Sequence, residues 1–556
     1  MSSVVLSTLN GRLLRDYYAR GWWREETNFA IAAAHASQSP DDWAMRDRFR
    51  RINWRQLLAA AETLAADFHA LGLKRGQRVA FWMPDRIESV AILLACSRLG
   101  LVCCPSPHRN HTVAEVQGMA ERLQVAAFLY QPGFGADARD PGREHAIEAA
   151  IGDLPSLRHV YRLPPAGPDH AGAPLFAGQL AAGSAPARLP DPSGDPDRVS
   201  YIAFTSGSTG RPKGVMHSDN TLLVTARALC RDWRIDRQTI VSTLSPFSHN
   251  LGVGAMMTAL VAGAELVIHD TPRGESLVDR LAETGVDYLV GVPTHAIDII
   301  AELRRRNLPR LGKVSAFRVS GAASPPHIMQ ELIAFGIEPQ SGYGMTENNS
   351  HQYTRPGDAS DLIEGSCGRA CDGYEIAILD PDDHGRRLGP GEVGLVAGRG
   401  ACLMLGYFDD QRGTEAAFSA DGWFITGDLG QLDANGYLRL TGRQKEVLIR
   451  GGHNINPSRI EELAAEHGVI ARAAVLALPD PRLGERICLA YVARAGGKTS
   501  AAALLAHLAA RGLSRYELPE FFLPLAELPL MANGKIDKPE LLRRIARGTL
   551  TPEPVA

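Results

Sequence analysis

The 556-residue chain lacks several features that would assign a function at once. Its eight cysteines form no CxxC pair, and Cys367 and Cys371 have no neighbouring His or Cys pair, so a zinc site is not expected. The net charge of −3 gives no bulk attraction to nucleic acid or to anionic membranes. The apolar stretch 90–105 is interrupted by Ser97 and Arg98 and is too short to span a bilayer.

The start of the chain, MSSVVLSTLNGRLLRD, lacks a basic segment followed by a long apolar stretch, so it is a poor secretory signal. Scattered cysteines in a chain of ordinary composition fit a reducing cytosol. We therefore expect a cytoplasmic protein with no membrane span and no nucleic-acid partner. At roughly 150 residues per domain, its length predicts three or four structural units.

The local patterns predict an α/β protein. Residues 77–83 and 101–105 have the composition of strands, and 85–99 has helical periodicity, a βαβ rhythm typical of a parallel sheet. A second αβ region follows the middle of the chain, and 367–443 has dense turns and short strands that indicate a β-rich lobe. After residue 443 comes a compact α+β unit of about 100 residues.

The most informative segment is TSGSTGRPKG, which follows the apolar run 199–204. Glycines let backbone N–H groups approach an anion, hydroxyl groups donate to phosphate oxygens, and a lysine adds a point charge. This combination suits a nucleoside triphosphate, although an ordinary surface loop is the alternative. It is not a Walker A loop, because Pro212 precedes Lys213 and Gly214 follows it.

Further short motifs follow in order along the chain, and each has an ordinary structural explanation when taken alone. A lone His is usually a satisfied core residue, a Glu after a turn is often part of a helix cap, and a lysine beside a glycine is usually solvated. The motifs are SPFSHNLG (245–252), GAA (321–323), SGYGMTE (341–347), FITGDLG (424–430), GRQKEVLIRGGHNINPSRIEE (from 442) and NGKI (533–536).

Together these motifs resemble those of the adenylate-forming superfamily, which contains acyl- and aryl-CoA synthetases, the adenylation domains of peptide synthetases, and luciferases. The chain differs at Ser208, where the family has Thr, a change of one hydroxyl for another. The resemblance covers nearly the whole chain and is densest between residues 201 and 535. It implies a large N-terminal adenylation domain, 1–442, of αβ sheets with a β-rich lobe, and a small mobile α+β domain, 443–556.

The resemblance implies an ATP site. Tyr343 would stack on adenine, Asp428 would accept hydrogen bonds from both ribose hydroxyls, and Arg443 would add a donor. Thr346 would contact the α-phosphate, and Glu347 would hold Mg²⁺, a hard cation that prefers oxygen ligands. The residues assigned to ATP or AMP are Thr205, Ser206, Gly207, Ser208, Thr209, Gly210, Lys213, Gly321, Ala322, Ala323, Gly342, Tyr343, Gly344, Thr346, Asp428 and Arg443.

The resemblance also implies a pocket for the carboxylic acid, a hinge between the domains and a surface that faces the thiol of CoA. His249 would lie beside the carboxylate substrate, and Asn250 resembles the His-Asn pair of members that activate aryl acids. The hinge is expected at Lys445, and the implied catalytic residues are Lys213, His249, Thr346, Glu347 and Lys535. The acid pocket would include His249, Asn250, Leu251, Gly321, Ala322 and Met345, and the CoA side would include Arg450, Gly451 and Gly452.

The chemistry explains why this set contains no general base. A carboxylate is already ionised at neutral pH, so its attack on the α-phosphate of ATP needs positioning and positive charge rather than proton removal. Mg²⁺, Lys213 and Lys535 would supply the charge, Lys535 being carried in by the small domain. A thiol then displaces AMP from the acyl-adenylate.

We therefore predict an AMP-forming acid–thiol ligase that uses ATP, Mg²⁺ and CoA to activate an aromatic, alicyclic or medium-chain acid. One alternative is a stand-alone adenylation enzyme that loads a carrier protein. The other is a non-catalytic nucleotide-binding protein, against which the retention of Lys535 argues. The sequence leaves the acid open, and a monomer or homodimer is expected.

Overall fold

The computed structural model describes residues 8–137, 142–168, 174–181, 189–205, 212–272, 274–321, 326–450, 453–497, 499–531 and 535–555. Its helices are α1 (Gly11–Ala19), α2 (Asn28–Gln38), α3 (Trp54–Ala70), α4 (Ile87–Leu99), α5 (Val113–Leu123), α6 (Ala146–Ile151), α7 (Asp219–Asp232), α8 (Asn250–Ala262), α9 (Leu277–Thr284), α10 (Pro293–Arg305), α11 (Pro326–Ala334), α12 (Ser360–Gly365), α13 (Gln411–Ala416), α14 (Pro457–Ala465), α15 (Ala501–Ala510) and α16 (Lys538–Ala546). Within the described ranges, no helix is long and apolar enough to cross a membrane.

Within the described ranges, the strands form four sheets. They are β1 (Trp43–Arg46), β2 (Arg51–Asn53), β3 (Arg78–Trp82), β4 (Val102–Cys104), β5 (Val125–Tyr130), β6 (His159–Arg162), β7 (Val199–Thr205), β8 (Lys213–Ser218), β9 (Ile240–Thr243), β10 (Glu265–Val267), β11 (Tyr288–Gly291), β12 (Ala316–Ser320), β13 (Glu338–Met345), β14 (Asn349–Tyr353), β15 (Arg369–Ala370), β16 (Tyr374–Leu379), β17 (Gly394–Gly400), β18 (Gly406–Phe408), β19 (Phe424–Leu432), β20 (Leu438–Arg443), β21 (Leu448–Arg450), β22 (His453–Ile455), β23 (Ile470–Asp480), β24 (Gly484–Ala493), β25 (Phe521–Leu525) and β26 (Glu553–Pro554).

Two large sheets share the main core. The first has the order β18-β8-β7-β4-β3-β5-β6, parallel from β7 to β6 and antiparallel at the β8 hairpin. The second has the order β15-β14-β13-β12-β11-β9-β10-β1-β2 and is parallel from β13 to β1. The carboxyl ends of parallel strands meet at one edge, so the ends of β9, β12 and β13 lie together, as expected for a ligand site in an α/β protein.

The helices between the strands have clear physical origins. In α4, every residue from Ile87 to Arg98 is buried, because the helix is covered on all sides. Ser218 caps α7 by accepting a hydrogen bond from the Thr221 amide, which satisfies one free donor of the first turn. The main core extends across both sheets and includes residues of α3, α4, α7 and α8.

The predicted β-rich lobe is a four-stranded antiparallel sheet of order β16-β17-β19-β20. A single 3-10 turn, Gln444–Glu446, follows β20. The described residues after this turn form a sheet of β21 to β26, with one apolar cluster under α14 and α15 and another under α16. The α/β class, with a large N-terminal part and a smaller C-terminal part, is confirmed.

Candidate active site

The ends of the predicted phosphate loop lie side by side. Thr205 ends β7, Lys213 begins β8, and the two residues are direct neighbours across the antiparallel pair. The loop therefore begins and ends at the same edge of the first sheet. Ser206, Gly207, Ser208, Thr209 and Gly210 fall outside the described residues.

Lys213 is linked to Glu347 through a tyrosine. The Lys213 ammonium lies 4.4 Å from the centre of the Tyr407 ring, and the Tyr407 hydroxyl donates to Glu347 Oε1 over 2.9 Å. Burial raises the pKa of Glu347, an effect opposed by this hydrogen bond and by the charge of Lys213. A cation bound at Glu347 would favour its ionised form, which fits the expected metal role.

We expect Tyr407→Phe to weaken adenylation while the ring that supports Lys213 remains. A hydrogen bond to a charged group contributes enough that pyrophosphate release should fall about tenfold or more. The matched control is Tyr437→Phe, which removes a similar hydroxyl–carboxylate bond, 2.7 Å to Asp358, outside the site. Equal loss in both variants would contradict a specific role of Tyr407.

The predicted ribose residues also come together. Asp428 is only 5% exposed and accepts a hydrogen bond from the Tyr343 hydroxyl over 2.6 Å. Arg443 Nε lies 3.0 Å from the other Asp428 oxygen, across the β19–β20 pair. This arrangement fixes the orientation of the carboxylate at the point where the β-rich lobe meets the C-terminal residues.

His249 lies at the start of α8, on a turn that depends on Gly252. A Cβ at Gly252 would lie 2.3 Å from the Pro246 carbonyl oxygen, so a larger residue could not close this turn. The ring of His249 stacks on that of His108 with centroids 4.3 Å apart and an angle of 19°. Burial is the main reason that the pKa of His249 is lowered to about 4, with a smaller effect from the charge of Lys535. His249 is therefore neutral at physiological pH.

Asn250 faces the hairpin that carries SGYGMTE. Its amide donates to Asn349 Oδ1 over 3.0 Å, while its own Oδ1 is buried and has no partner among the described residues. The hairpin is close because Gly344 has no side chain: a Cβ there would lie 1.9 Å from the Asn349 carbonyl oxygen. The start of α8 and the end of β13 thus form one wall of the site.

Lys535 lies in this site. Burial is the main cause that lowers its pKa to about 8, followed by the charge of Arg443, with opposing effects from Asp428 and Glu446. Its backbone carbonyl accepts from the Met531 amide over 2.7 Å. The sequence alone could not show that a residue about 90 positions beyond Lys445 lies close enough for its charge to act on Asp428 and Arg443.

The remaining predicted residues lie in different parts of the structure, and some fall outside the described ranges. Gly321 follows β12 with φ of +90°, Gly342 lies within β13, and Thr346 accepts at its carbonyl oxygen from His217 Nε2 over 2.7 Å. Leu251 and Met345 pack partly buried against the main core. Lys445 lies in the 3-10 turn. Ala322, Ala323, Gly451 and Gly452 fall outside the described residues.

Arg450, predicted on the CoA side, is held within the C-terminal sheet. Its guanidinium forms two hydrogen bonds with Glu520, of 3.0 and 2.7 Å. Arg486 pairs with the same carboxylate at 3.0 Å. The contact of Arg450 with CoA stays a prediction.

The sequence analysis missed several residues of the site. His108 was missed: it is half-buried, and its ring stacks on that of His249. Tyr407 was missed because β18 pairs with β8 across some 190 positions of chain. Lys538 was also missed: it contacts Glu461 at 2.8 Å and Glu446 at 3.4 Å, and so ties the segment after Lys535 to the turn after β20. For His108, the sequence signal was the pair of histidines at positions 108 and 111.

Two family models match the chain. The AMP-binding enzyme model matches residues 32–408, and the AMP-binding enzyme C-terminal domain model matches residues 459–535. The first covers more than half of the chain and contains most of the site described above.

Curated relatives are similar over nearly their full lengths. A medium-chain fatty-acid–CoA ligase of Escherichia coli is 28% identical, covering 98% of this chain and 94% of the relative. A 3-[(3aS,4S,7aS)-7a-methyl-1,5-dioxo-octahydro-1H-inden-4-yl]propanoyl:CoA ligase of Mycobacterium tuberculosis is 33% identical, covering 91% and 96%. A salicyl-AMP ligase / salicyl-S-ArCP synthetase of the same organism is 30% identical, covering 96% and 94%.

Solved structures share the fold. An ATP-bound RpMatB–BxBclM chimera has a TM-score of 0.81 at 25% identity, covering 94% of this chain and 99% of the chimera. Apo MatB from Rhodopseudomonas palustris, also 25% identical and with the same coverage, has a TM-score of 0.70. The chain belongs to the AMP-binding enzyme family and is an adenylate-forming ligase of the acyl- and aryl-CoA synthetase type.

Proposed function

We propose that this ligase joins a carboxylic acid to ATP as an acyl-adenylate with release of pyrophosphate, and then transfers the acyl group to the thiol of CoA. The observation that carries the proposal is the position of Lys535, whose charge acts on both His249 and the Asp428–Arg443 pair. A lysine at this point faces the acid on one side and the nucleotide on the other.

In the first step, formation of the acyl-adenylate, different residues of the site bind different parts of the reactants. Tyr343 and Asp428 bind the adenosine part of ATP, and Lys213 with the phosphate loop binds the phosphates. Lys535 offsets the negative charge that develops as the acid carboxylate approaches the α-phosphate. His249, neutral at physiological pH, contacts the carboxylate without adding charge. Glu347 is the residue that would hold Mg²⁺, which would neutralise phosphate charge.

Several finer features belong to the same proposal. The domains divide near residue 442, and the small domain turns about Lys445 between the two steps. Arg450, Gly451 and Gly452 then face the thiol arm of CoA. The protein acts in the cytoplasm, in keeping with its eight unpaired cysteines.

The second candidate acceptor is a carrier protein. The Asn250–Asn349 contact at the acid pocket favours it, since a His-Asn pair is typical of members that activate aryl acids. The relative of 30% identity that is a salicyl-S-ArCP synthetase points the same way. CoA remains the main proposal because most of the relatives compared are CoA ligases.

The test is pyrophosphate release from ATP over a panel of carboxylic acids. Acid-dependent release is expected, and its absence with every acid would refute the proposal. CoA or a carrier protein is then added to the acyl-adenylate, and the acylated thiol identifies the acceptor.

The pKa of Lys535 predicts the alkaline side of the pH profile. Because the free enzyme's lysine has a pKa of about 8, its positive charge is lost as the pH rises above that value. We expect kcat/KM for ATP to decline above pH 8, since this parameter reports the free enzyme. A Lys535→Arg variant stays charged and should retain its own, lower activity to higher pH. Identical profiles would exclude Lys535 as the titrating group.

A further inference from the structure

One arginine lies deep in the second sheet. Arg318 belongs to β12 and is 2% exposed. Its neighbours in the strand, Phe317 and Val319, pack in an apolar cluster on one face. Because side chains alternate along a strand, Arg318 points to the other face, toward the hairpin of β13 and β14.

The guanidinium of Arg318 has too few partners for a buried charge. Its Nη2 donates to the Ser350 carbonyl oxygen over 3.4 Å, and its plane lies 5.4 Å from the centre of the Tyr353 ring. Its charge and a hydrogen bond to the Tyr288 side chain oppose the rise that burial causes in the pKa of Tyr288. Within the described part of the chain, its Nε and Nη1 have no hydrogen-bond partner, and its printed side-chain bond goes to a carbonyl oxygen and not to a carboxylate.

Gly342 leaves room for this guanidinium beside the nucleotide motif. A Cβ at Gly342 would lie 2.9 Å from Arg318 Nη2, so any larger residue would collide with the arginine. Gly342 immediately precedes Tyr343, which bonds to Asp428. The guanidinium is thus next to the strand that builds the site.

Polar groups connect Arg318 with the acid end of the site. The Ser350 hydroxyl lies 3.6 Å from the position of a Cβ at Gly254, one turn along α8 from Asn250. Asn250 Oδ1 and His249 Nε2 are likewise buried without partners in the described part of the chain. Polar groups therefore occur along this wall from His249 to Arg318, whose guanidinium carries a positive charge.

We propose that the acid activated by this enzyme carries a second anionic group, a carboxylate or a sulfonate, which pairs with Arg318. The proposal rests on the proposed function and names its substrate class. The first carboxylate reacts near His249 and Lys535, and the second lies against the Arg318 guanidinium.

The chemistry of guanidinium favours such a ligand. Arginine forms strong charge-assisted hydrogen bonds with a carboxylate, and two donor atoms of Arg318, Nε and Nη1, have no partner within the described residues. A buried charge without a counter-charge is unfavourable, so an anion would gain more here than at an exposed site. An acid with a purely apolar tail would leave the arginine unpaired, which implies discrimination against it.

The first test uses the full-length wild-type protein with matched acids. Succinate, glutarate, adipate and terephthalate are compared with their monomethyl esters, and 3-sulfopropanoate tests the sulfonate. We expect at least one dianionic acid to have a kcat/KM for pyrophosphate release at least tenfold above its ester. Equal or better rates with esters and other monocarboxylic acids would overturn the inference and leave the proposed function intact. No release with any acid would overturn both.

The second test replaces the arginine. Arg318→Gln should lower kcat/KM for the preferred dianionic acid about 100-fold, the effect of removing one partner of a buried charge pair, with the KM for ATP unchanged. For the monomethyl ester of that acid, kcat/KM of Arg318→Gln should equal or exceed the wild-type value. With the dianionic acid, Arg318→Lys should lose less activity than Arg318→Gln. Arg304→Gln, an exposed arginine on α10, is the control. Parallel losses for diacid and ester would mean that Arg318 serves only the fold and would overturn the inference.

Discussion

Lys535→Ala is expected to reduce acyl-adenylate formation by about 10²- to 10³-fold, the effect of losing one charged group aimed at the transition state. The ammonium is partly buried and interacts with His249, Asp428 and Arg443, so no water-exposed lysine could replace it. The measurement is pyrophosphate release with an acid from the panel.

The second half-reaction provides the internal control for Lys535→Ala. Synthetic acyl-adenylate is mixed with CoA, and thioester formation should stay close to the wild-type rate, because that step needs a different arrangement of the small domain. Lys313→Ala, an exposed lysine, should change neither step. Equal losses in both half-reactions would show a general defect instead of a role in adenylation.

Secondary structure can be predicted largely from local sequence. Helix α9 begins at Leu277 for a local reason: Ser276 is the N-cap, and its hydroxyl accepts from the Asp279 amide. The expected strand 77–83 is Arg78–Trp82, which lies between two parallel neighbours. Alternation and capping residues are local, so they can be read from one sequence.

Long-range pairing could not be read in the same way. Strand β1, at Trp43–Arg46, joins the second sheet beside β10, more than 200 positions later in the chain. The stack of His108 on His249 likewise joins residues 141 positions apart. Nothing in a short polar loop indicates such a partner, because the contact is decided by how two sheets pack.

In the candidate site, too, some features could be predicted from local motifs, whereas others depend on long-range packing. The motifs named Asp428, Arg443, Tyr343 and Lys535 by resemblance, and the structure brings these four together, although their roles stay predictions. The sequence did not indicate that Arg318 is buried, because AFRVS has the composition of an ordinary strand with one exposed arginine. Its burial depends on Gly342 in the neighbouring strand, which is a property of the sheet rather than of either segment.

Glu347→Gln is expected to cause the other large loss, a fall in kcat of about 10²- to 10³-fold together with a higher requirement for Mg²⁺. The amide keeps the size of the side chain and can still accept from the Tyr407 hydroxyl, but it lacks the negative charge that a hard cation needs. Pyrophosphate release is measured over a range of Mg²⁺ concentrations. Glu338→Gln, an exposed carboxylate at the other end of β13, is the matched control. An unchanged Mg²⁺ dependence in Glu347→Gln would remove the metal role from this residue. A combined Tyr407→Phe and Glu347→Gln variant should be little worse than Glu347→Gln alone, because the tyrosine acts through this carboxylate.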